Sequence, residues 1–120
     1  MQVGCGVGNT ALPLLDLNPR CRVLACDFAP SAVRILLAHP ACQPSAGGAP
    51  PRLDAFVADV AAAPLVTRVP ACSVDVATLV FVLSAMTPHA MAAVRRQRST
   101  HATQCVQLGL RAMPPTEHRL

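Results

Sequence analysis

Three closely spaced glycines and one aspartate form the pattern in this sequence that could do chemistry. Gly4, Gly6 and Gly8 give G-x-G-x-G directly after an apolar residue. Glycine lets the backbone turn tightly and lets a ligand approach without a Cβ in the way, and a helix after such a turn presents N–H groups to a polar ligand. Asp27 ends the next apolar run, residues 23–26, where a carboxylate can accept both hydroxyls of a ribose. The combination predicts a site for a nucleotide-type cofactor.

Two later apolar runs end in residues that extend this site. Asp59 and Val60 follow the third run, where the carboxylate could accept the amino hydrogens of an adenine and the Val60 N–H could meet a ring nitrogen. Val80 and Phe81, near the end of the fourth run, could form a wall of the pocket. Because the carboxyl ends of parallel strands meet at one crevice, we expect these residues to lie beside the glycines.

Each of these residues also has a structural alternative. Asp27 could be a solvated loop residue or could cap a helix that begins near Pro30, and Asp59 could belong to an ordinary turn. Val80 is expected in the core of a strand in either case. The four histidines show no pairing of a base with a nucleophile, so no catalytic residue is assigned.

The composition argues against several other kinds of site. No two of the six cysteines form a Cys-x-x-Cys pair, and no histidine stands at zinc-ligand spacing, so we expect no metal and we expect reduced, buried thiols. The longest strongly apolar run, residues 76–86, is too short to cross a bilayer, which needs about 20 residues. Without a signal peptide, this predicts an intracellular, cytoplasmic protein with no membrane partner.

Charge is distributed unevenly along the 120 residues, which suffice for one domain. Residues 1–94 carry five arginines and five aspartates, so the net charge of +4 arises in residues 95–120. The first part is therefore not a basic nucleic-acid platform by itself. After Arg95 no hydrophobic period is sustained, and Pro114-Pro115 precludes a helix near the end.

The order of apolar runs and helix breakers predicts an α/β fold. Strands are expected at residues 2–3, 23–26, 55–58 and 74–83. Helices are expected after Asn9 or Thr10, from Pro30 and from Pro88. Alternation of this kind implies right-handed crossovers and a parallel sheet that is covered on both faces.

Four segments closely resemble one known family. Residues 3–10, 25–33, 58–60 and 73–86 are similar to the methyltransferase-like family that makes 3-methylcytidine in tRNA anticodon loops, which are class I S-adenosylmethionine-dependent methyltransferases. The resemblance covers about residues 2–94, and its last segment is much more specific than the glycine motif.

The resemblance implies a fold and a set of roles. It implies an incomplete Rossmann-like class I methyltransferase sheet of strand order 3-2-1-4, with the first strand almost absent, the fourth an exposed edge and the later strands missing. Residues 1–94 would be a partial S-adenosylmethionine-binding domain, and residues 95–120 an unrelated, disordered Arg-rich tail. In the family, positions matching Gly4 contact the methionine part of the cofactor, Asp27 the ribose, Asp59 and Val60 the adenine, and Val80 the pocket wall.

The activity implied is formation of 3-methylcytidine in tRNA from S-adenosylmethionine, with tRNA as partner and room for a protein that completes the fold. The alternative is a non-catalytic, truncated fragment that binds the cofactor weakly at most. An NAD-dependent oxidoreductase is disfavoured, because the dinucleotide fingerprint would place its third glycine at position 9, where the chain has Asn9.

Overall fold

The computed structural model of the chain describes residues 1–108. Five strands alternate with three helices along the chain. In order they are β1 (Gln2–Val3), α1 (Ala11–Leu17), β2 (Val23–Asp27), α2 (Pro30–Leu37), β3 (Leu53–Val57), β4 (Val74–Val80), α3 (Pro88–His101) and β5 (Ala102–Leu108). Short 3-10 turns lie at Pro40–Cys42, Leu65–Thr67 and Leu83–Ala85.

The five strands form one parallel sheet of order β3-β2-β1-β4-β5. The first four strands therefore have the order 3-2-1-4, which confirms the sequence prediction. From β1 the chain builds outward through β2 to β3, and then returns to place β4 on the other side of β1. The order reverses between β1 and β4, and in open α/β sheets ligands bind at the carboxyl ends of the strands at such a point.

The two-residue strand β1 is held by neighbours on both sides. Gln2 is in register with Ala25 of β2 and with Thr78 of β4. The Met1 amino group donates a hydrogen bond of 2.6 Å to the Val76 carbonyl, and the Thr78 N–H donates to the Met1 carbonyl at 2.9 Å. These contacts fix where the loop after β1 begins.

Two apolar clusters pack around the sheet. One cluster gathers side chains of α1, α2 and β3, including Leu15, Leu36 and Leu53. The other includes Leu79 of β4 and Val94 of α3. Burial of apolar area by both clusters is the main force that holds the layers together. Within the described residues, no helix is long and apolar enough to cross a membrane.

The structure differs from the sequence prediction after residue 94. The expected irregular tail instead continues α3 to His101 and adds β5, which pairs with β4 from Val74↔Ala102 to Val80↔Leu108. Strand β4 is therefore not an exposed edge, and a later strand is present. The division of the chain at residue 94 stays a prediction, although α3 runs across it. Residues 109–120, including the proline pair, lie outside the described residues.

Gln97 explains why the helix extends past Val94 despite its Arg-rich sequence. Its side-chain nitrogen donates to the carbonyls of Val60, at 2.5 Å, and Ala63, at 2.8 Å. Its side-chain oxygen accepts from the Leu65 N–H at 2.8 Å. One amide group thus satisfies three backbone groups of the loop after β3, and hydrophobic periodicity cannot report such an anchor.

Two cysteines are buried thiols, as expected. Cys5 and Cys26 are 4% and 0% exposed, and they belong to different apolar clusters. Burial is the largest cause that raises the pKa of Cys5 to about 11 and that of Cys26 to about 12. The prediction of buried thiols was wrong for Cys72, which is exposed.

Removing the amide of Gln97 should destabilise the whole chain. We expect Gln97→Ala to lower the free energy of unfolding by about 1–3 kcal/mol, because it leaves three backbone groups without their partner. Gln43→Ala is the matched control, since Gln43 makes one exposed hydrogen bond, to the Leu37 carbonyl, and should change stability by less than about 0.5 kcal/mol. Urea unfolding followed by circular dichroism measures both. Equal stabilities of the two variants would mean that the Gln97 amide does not anchor α3 to the loop after β3.

The buried thiols should make the chain sensitive to alkali. Above pH 9, the ordinary thiol pKa, the unfolded chain loses the protons of Cys5 and Cys26, whereas the folded chain keeps them up to about pH 11 and 12. Between pH 9 and these raised values the folded state binds more protons than the unfolded state, so stability falls as pH rises. Below pH 9 the thiols do not make stability depend on pH. Urea unfolding from pH 8 to pH 11 under reducing conditions should show the decline, and the chain has no tyrosine to interfere.

A double variant tests whether the thiols cause that decline. Cys5→Ala combined with Cys26→Ala should be less stable at pH 8 but should lose stability less steeply above pH 9. Cys72→Ala, which removes an exposed thiol, should keep the steep decline. If the double variant declines as steeply as the unmodified chain, another group is responsible.

Candidate functional site

The loop after β1 turns at three glycines in left-handed backbone conformations. The φ angles of Gly4, Gly6 and Gly8 are +68°, +52° and +97°. Residues with a Cβ avoid this region, so the glycine pattern follows from the path of the chain. The Gly8 N–H donates to the Cys5 carbonyl at 3.0 Å and closes the turn. The N–H groups of Gly4 and Cys5 both donate to the Cys26 carbonyl, at 2.8 and 3.0 Å, and attach the loop to β2.

The three glycines are needed for different reasons. A Cβ on Gly4 would overlap the Cγ2 of Val82, which lies just after β4. A Cβ on Gly8 would lie 2.7 Å from the Cδ1 of Leu36, so this position is closed by the packing of α2. A Cβ on Gly6 would meet nothing within 4 Å. Gly6 therefore presents bare backbone to open space, which is the surface that a closely bound ligand requires.

The carboxylate of Asp27 bridges this loop and the turn that leads into α2. Its Oδ2 accepts from the Gly6 N–H at 2.8 Å, and its Oδ1 accepts from the Ala29 N–H at 2.9 Å. Hydrogen bonds to an ionised acceptor are stronger than neutral ones, so the carboxylate holds both segments in place. Each oxygen has a second lone pair, and Asp27 is partly exposed, so the group can still accept hydrogen bonds from a ligand.

Asp59 lies on the next strand end at the same edge. The backbone connects the two sites, because the Ala58 N–H donates to the Asp27 carbonyl at 2.9 Å. The Oδ1 of Asp59 accepts from the N–H groups of Ala61 and Ala62, at 3.0 and 3.3 Å. Asp59 therefore does stabilise a turn, as the structural alternative predicts. Its carboxylate is exposed, and its other oxygen can still accept hydrogen bonds from a ligand.

Val60 and Val80 have different surroundings. The Val60 side chain is 5% exposed and belongs to the apolar cluster on the α3 side, so only its backbone could contact a ligand. Val80 ends β4 and is half-buried. The next residue, Phe81, has a φ of 57° and is 61% exposed. The binding roles of all seven proposed residues, from Gly4 to Val80, stay predictions.

The structure brings the strand ends of β1, β2 and β3 together through contacts that the sequence does not show. Sequence reasoning missed Val82, whose contact with the Gly4 position joins the ends of β1 and β4. It also missed Ala29, whose N–H is held by Asp27. Their residue types carry no signal, because backbone groups and a common valine make these contacts.

A cavity of about 650 Å³ lies at the opposite end of the sheet. Its lining includes Met1, Gln2, Val23 and Val74, at the amino ends of the strands, and none of the proposed site residues. The Oε1 of Gln2 is buried without a hydrogen-bond partner in the described part of the chain. We place the candidate site at the carboxyl edge, where the open glycine and the carboxylates meet. Among the described residues, no cluster of histidine, cysteine and acidic side chains could hold a metal ion.

Comparison with known proteins finds a family model and relatives that match most of the chain. Residues 1–107 match the family model described as "Methyltransferase domain". The chain is 38% identical over 91 residues to the tRNA N(3)-cytidine methyltransferase METTL6 of Homo sapiens, a match that covers 76% of this chain and 30% of that protein.

Two further relatives have similar identities and coverages. The tRNA N(3)-cytidine methyltransferase METTL2 of Xenopus tropicalis is 42% identical over 93 residues, covering 76% of this chain and 26% of the relative. METTL2 of Mus musculus is 41% identical over 93 residues, covering 76% and 22%. The chain thus spans about a quarter of the length of these relatives. The sheet, its glycine loop and the match over residues 1–107 together show that the chain belongs to the methyltransferase-domain family.

Proposed function

We propose that the chain is the cofactor-binding part of an S-adenosylmethionine-dependent methyltransferase that forms 3-methylcytidine in tRNA. The methyltransferase family implies a methyl donor, and relatives about 40% identical are named as tRNA N(3)-cytidine methyltransferases. Under this proposal tRNA is the partner, and the protein works inside the cell. The structural observation that carries it is the open face of Gly6 beside the carboxylate of Asp27.

The residues at the carboxyl edge fit this cofactor. Bare backbone at Gly6 faces open space and suits the methionine part, because a side chain there would block close approach. Gly4 would contact that part only through its backbone atoms, since Val82 fills the place of its Cβ. Asp27 would accept hydrogen bonds from the ribose hydroxyls through its remaining lone pairs. Asp59 and the backbone of Val60 would bind the adenine, and Val80 would line the pocket. When bound, S-adenosylmethionine supplies an electrophilic methyl group on a positively charged sulfur.

The reaction needs alignment more than acid–base catalysis. Cytosine N3 has a lone pair in the plane of the ring and is mostly unprotonated at neutral pH, so it can attack a methyl group directly. Holding the two reactants in line converts a bimolecular step into an effectively unimolecular one. A single-stranded or flipped-out base exposes N3 for this purpose. The chain's part in the reaction is therefore binding and orientation.

Substitution of Asp27 should weaken cofactor binding strongly. We expect Asp27→Ala to raise the Kd for S-adenosylmethionine by about 10- to 100-fold, because it removes the ribose acceptor and the hydrogen bond that holds the Gly6 N–H. Asp16→Ala is the matched control, since Asp16 is an exposed carboxylate on α1, and its Kd should stay within about twofold. Isothermal titration calorimetry of each folded variant gives both values.

Two outcomes of that titration would count against the proposal. A folded, unmodified chain that does not bind S-adenosylmethionine would support the alternative of a non-catalytic fragment. Saturable binding of NADH without binding of S-adenosylmethionine would assign the site to an oxidoreductase instead.

A methyl group on Gly6 should block the site without unfolding the chain. Gly6→Ala places a Cβ in open space at a φ of +52°, so we expect destabilisation of about 1–2 kcal/mol from backbone strain. Gly48→Ala adds the same strain at a φ of +77°, also in open space, in the loop before β3. Only Gly6→Ala should weaken S-adenosylmethionine binding, by at least about tenfold. Equal affinities in the two variants, measured by calorimetry, would place the ligand elsewhere.

A further inference from the structure

Phe81 occupies a conformation and an exposure that its residue type does not favour. Its φ of 57° lies in the left-handed region, which a bulky side chain adopts only when the surrounding structure imposes it. Its ring is 61% exposed, so burial in the core does not account for a phenylalanine here. Cys72 is the other described residue besides glycine with a positive φ, and it lies before β4, at the other end of the strand.

Local contacts fix the backbone of Phe81 beside the glycine loop. The hydroxyl of Ser84 donates to the Phe81 carbonyl at 2.9 Å, and the Ala85 N–H donates to the Val82 carbonyl at 3.2 Å. The next side chain, Val82, packs where a Cβ on Gly4 would lie. The position of Phe81 is therefore tied on one side to β4 and on the other to the turn after β1.

The two sides of the site differ in chemistry. On the β2 and β3 side, the described residues present the carboxylates Asp27 and Asp59, which suit the hydroxyl and amino groups of a nucleoside. On the β4 side, Phe81 presents an exposed aromatic ring. Nucleobases stack on aromatic side chains regardless of their hydrogen-bond pattern.

We propose that Phe81 is a stacking platform for the acceptor nucleobase of single-stranded RNA, a pyrimidine whose face lies on the Phe81 ring and whose N3 edge points toward the methyl donor. The proposal rests on the proposed function and adds the residue that positions the acceptor. The ring is exposed outside the core at the end of β4, and the residue after it, Val82, packs against the Gly4 position of the glycine loop.

Phe28 is the natural comparison within the chain. It is 75% exposed and follows β2 at the same edge of the sheet. It lacks the left-handed backbone of Phe81, and it lies on the side of the carboxylates. Both residues thus expose an aromatic ring, but only Phe81 has a left-handed backbone conformation and a position beside β4.

The first experiment measures RNA affinity with variants of Phe81. The probe is a fluorescein-labelled single-stranded oligoribonucleotide with one central cytidine, together with the same strand carrying an abasic site at that position. Fluorescence anisotropy gives the Kd for the unmodified chain, Phe81→Leu, Phe81→Gly and Phe28→Leu. Base–aromatic stacking corresponds to a change of about 5- to 100-fold in Kd. We expect Phe81→Leu and Phe81→Gly to lose that much affinity for the cytidine strand, and Phe28→Leu to stay within about twofold.

Phe81→Gly distinguishes the effect of the aromatic ring from that of the turn, because it removes the ring and keeps the turn. Glycine accepts the left-handed φ without strain, so this variant should have an unchanged or higher Tm while it loses RNA affinity. The preference for the cytidine strand over the abasic strand should also shrink in both Phe81 variants. Unchanged RNA affinity in Phe81→Gly, or no binding of the oligonucleotide by the unmodified chain, would overturn the proposal.

The second experiment uses the absence of tryptophan and tyrosine from the sequence. Phe81→Trp creates a single fluorophore, and stacking of a base should quench its emission when the cytidine strand is added. Phe28→Trp places a single tryptophan on the other side of the loop, and its emission should change little with the same strand. Equal quenching of both tryptophans would show that RNA does not distinguish the two sides and would contradict the proposal.

Calorimetry with S-adenosylmethionine keeps this proposal separate from the proposed function. If the chain binds the cofactor but its Kd for RNA does not change when Phe81 is substituted, only the stacking proposal is wrong. If the chain does not bind the cofactor but its RNA affinity depends on Phe81, the cofactor assignment is wrong and the stacking role of Phe81 is supported.

Discussion

The two hydrogen bonds of the Asp27 carboxylate are the interaction on which the site depends. They join the Gly6 N–H of the loop after β1 to the Ala29 N–H of the turn before α2. The loop has left-handed backbone at three positions and follows a strand of only two residues. Its beginning is attached to β2 through the Cys26 carbonyl, and the Asp27 carboxylate holds its middle at Gly6. A charged acceptor that holds two segments also keeps lone pairs for a ligand. Asp27 is thus a structural residue and a candidate binding residue for the same reason.

The sheet divides the candidate site into two structural halves. Strands β1, β2 and β3 follow one another outward and bring the glycines and both carboxylates to one side. Strand β4 enters from the opposite side of β1, and Val82 contacts the Gly4 position where the two halves meet. A transferase must hold a donor and an acceptor at adjacent places. A doubly wound sheet supplies two such places at its switch point, because neighbouring strand ends there belong to different halves of the chain.

The order of the first four strands and the positions of the three glycines could be predicted from the sequence. Alternating strands and helices permit few connections, and left-handed backbone selects glycine. The segment after Val94 was not predicted, because three arginines hide the periodicity of α3 and the anchor is the amide of Gln97. Val60 was placed in the site through its backbone N–H, a role that its buried side chain leaves as a prediction. Contacts made by backbone groups or by a single polar side chain leave no pattern that sequence reasoning can use.

The pairing of β5 with β4 bears directly on the acceptor side. A strand that leads directly into an aromatic residue can position a ligand through it only if the strand itself is held firmly. Strand β1 pairs with β4 at two residues, and β5 pairs along it from Val74 to Val80. The residues after position 94 therefore hold the strand that carries Phe81, and α3, which leads into β5, is bound to the loop after β3 by Gln97. The Arg-rich segment that lacks sequence periodicity thus supports the half of the site where an acceptor base would lie.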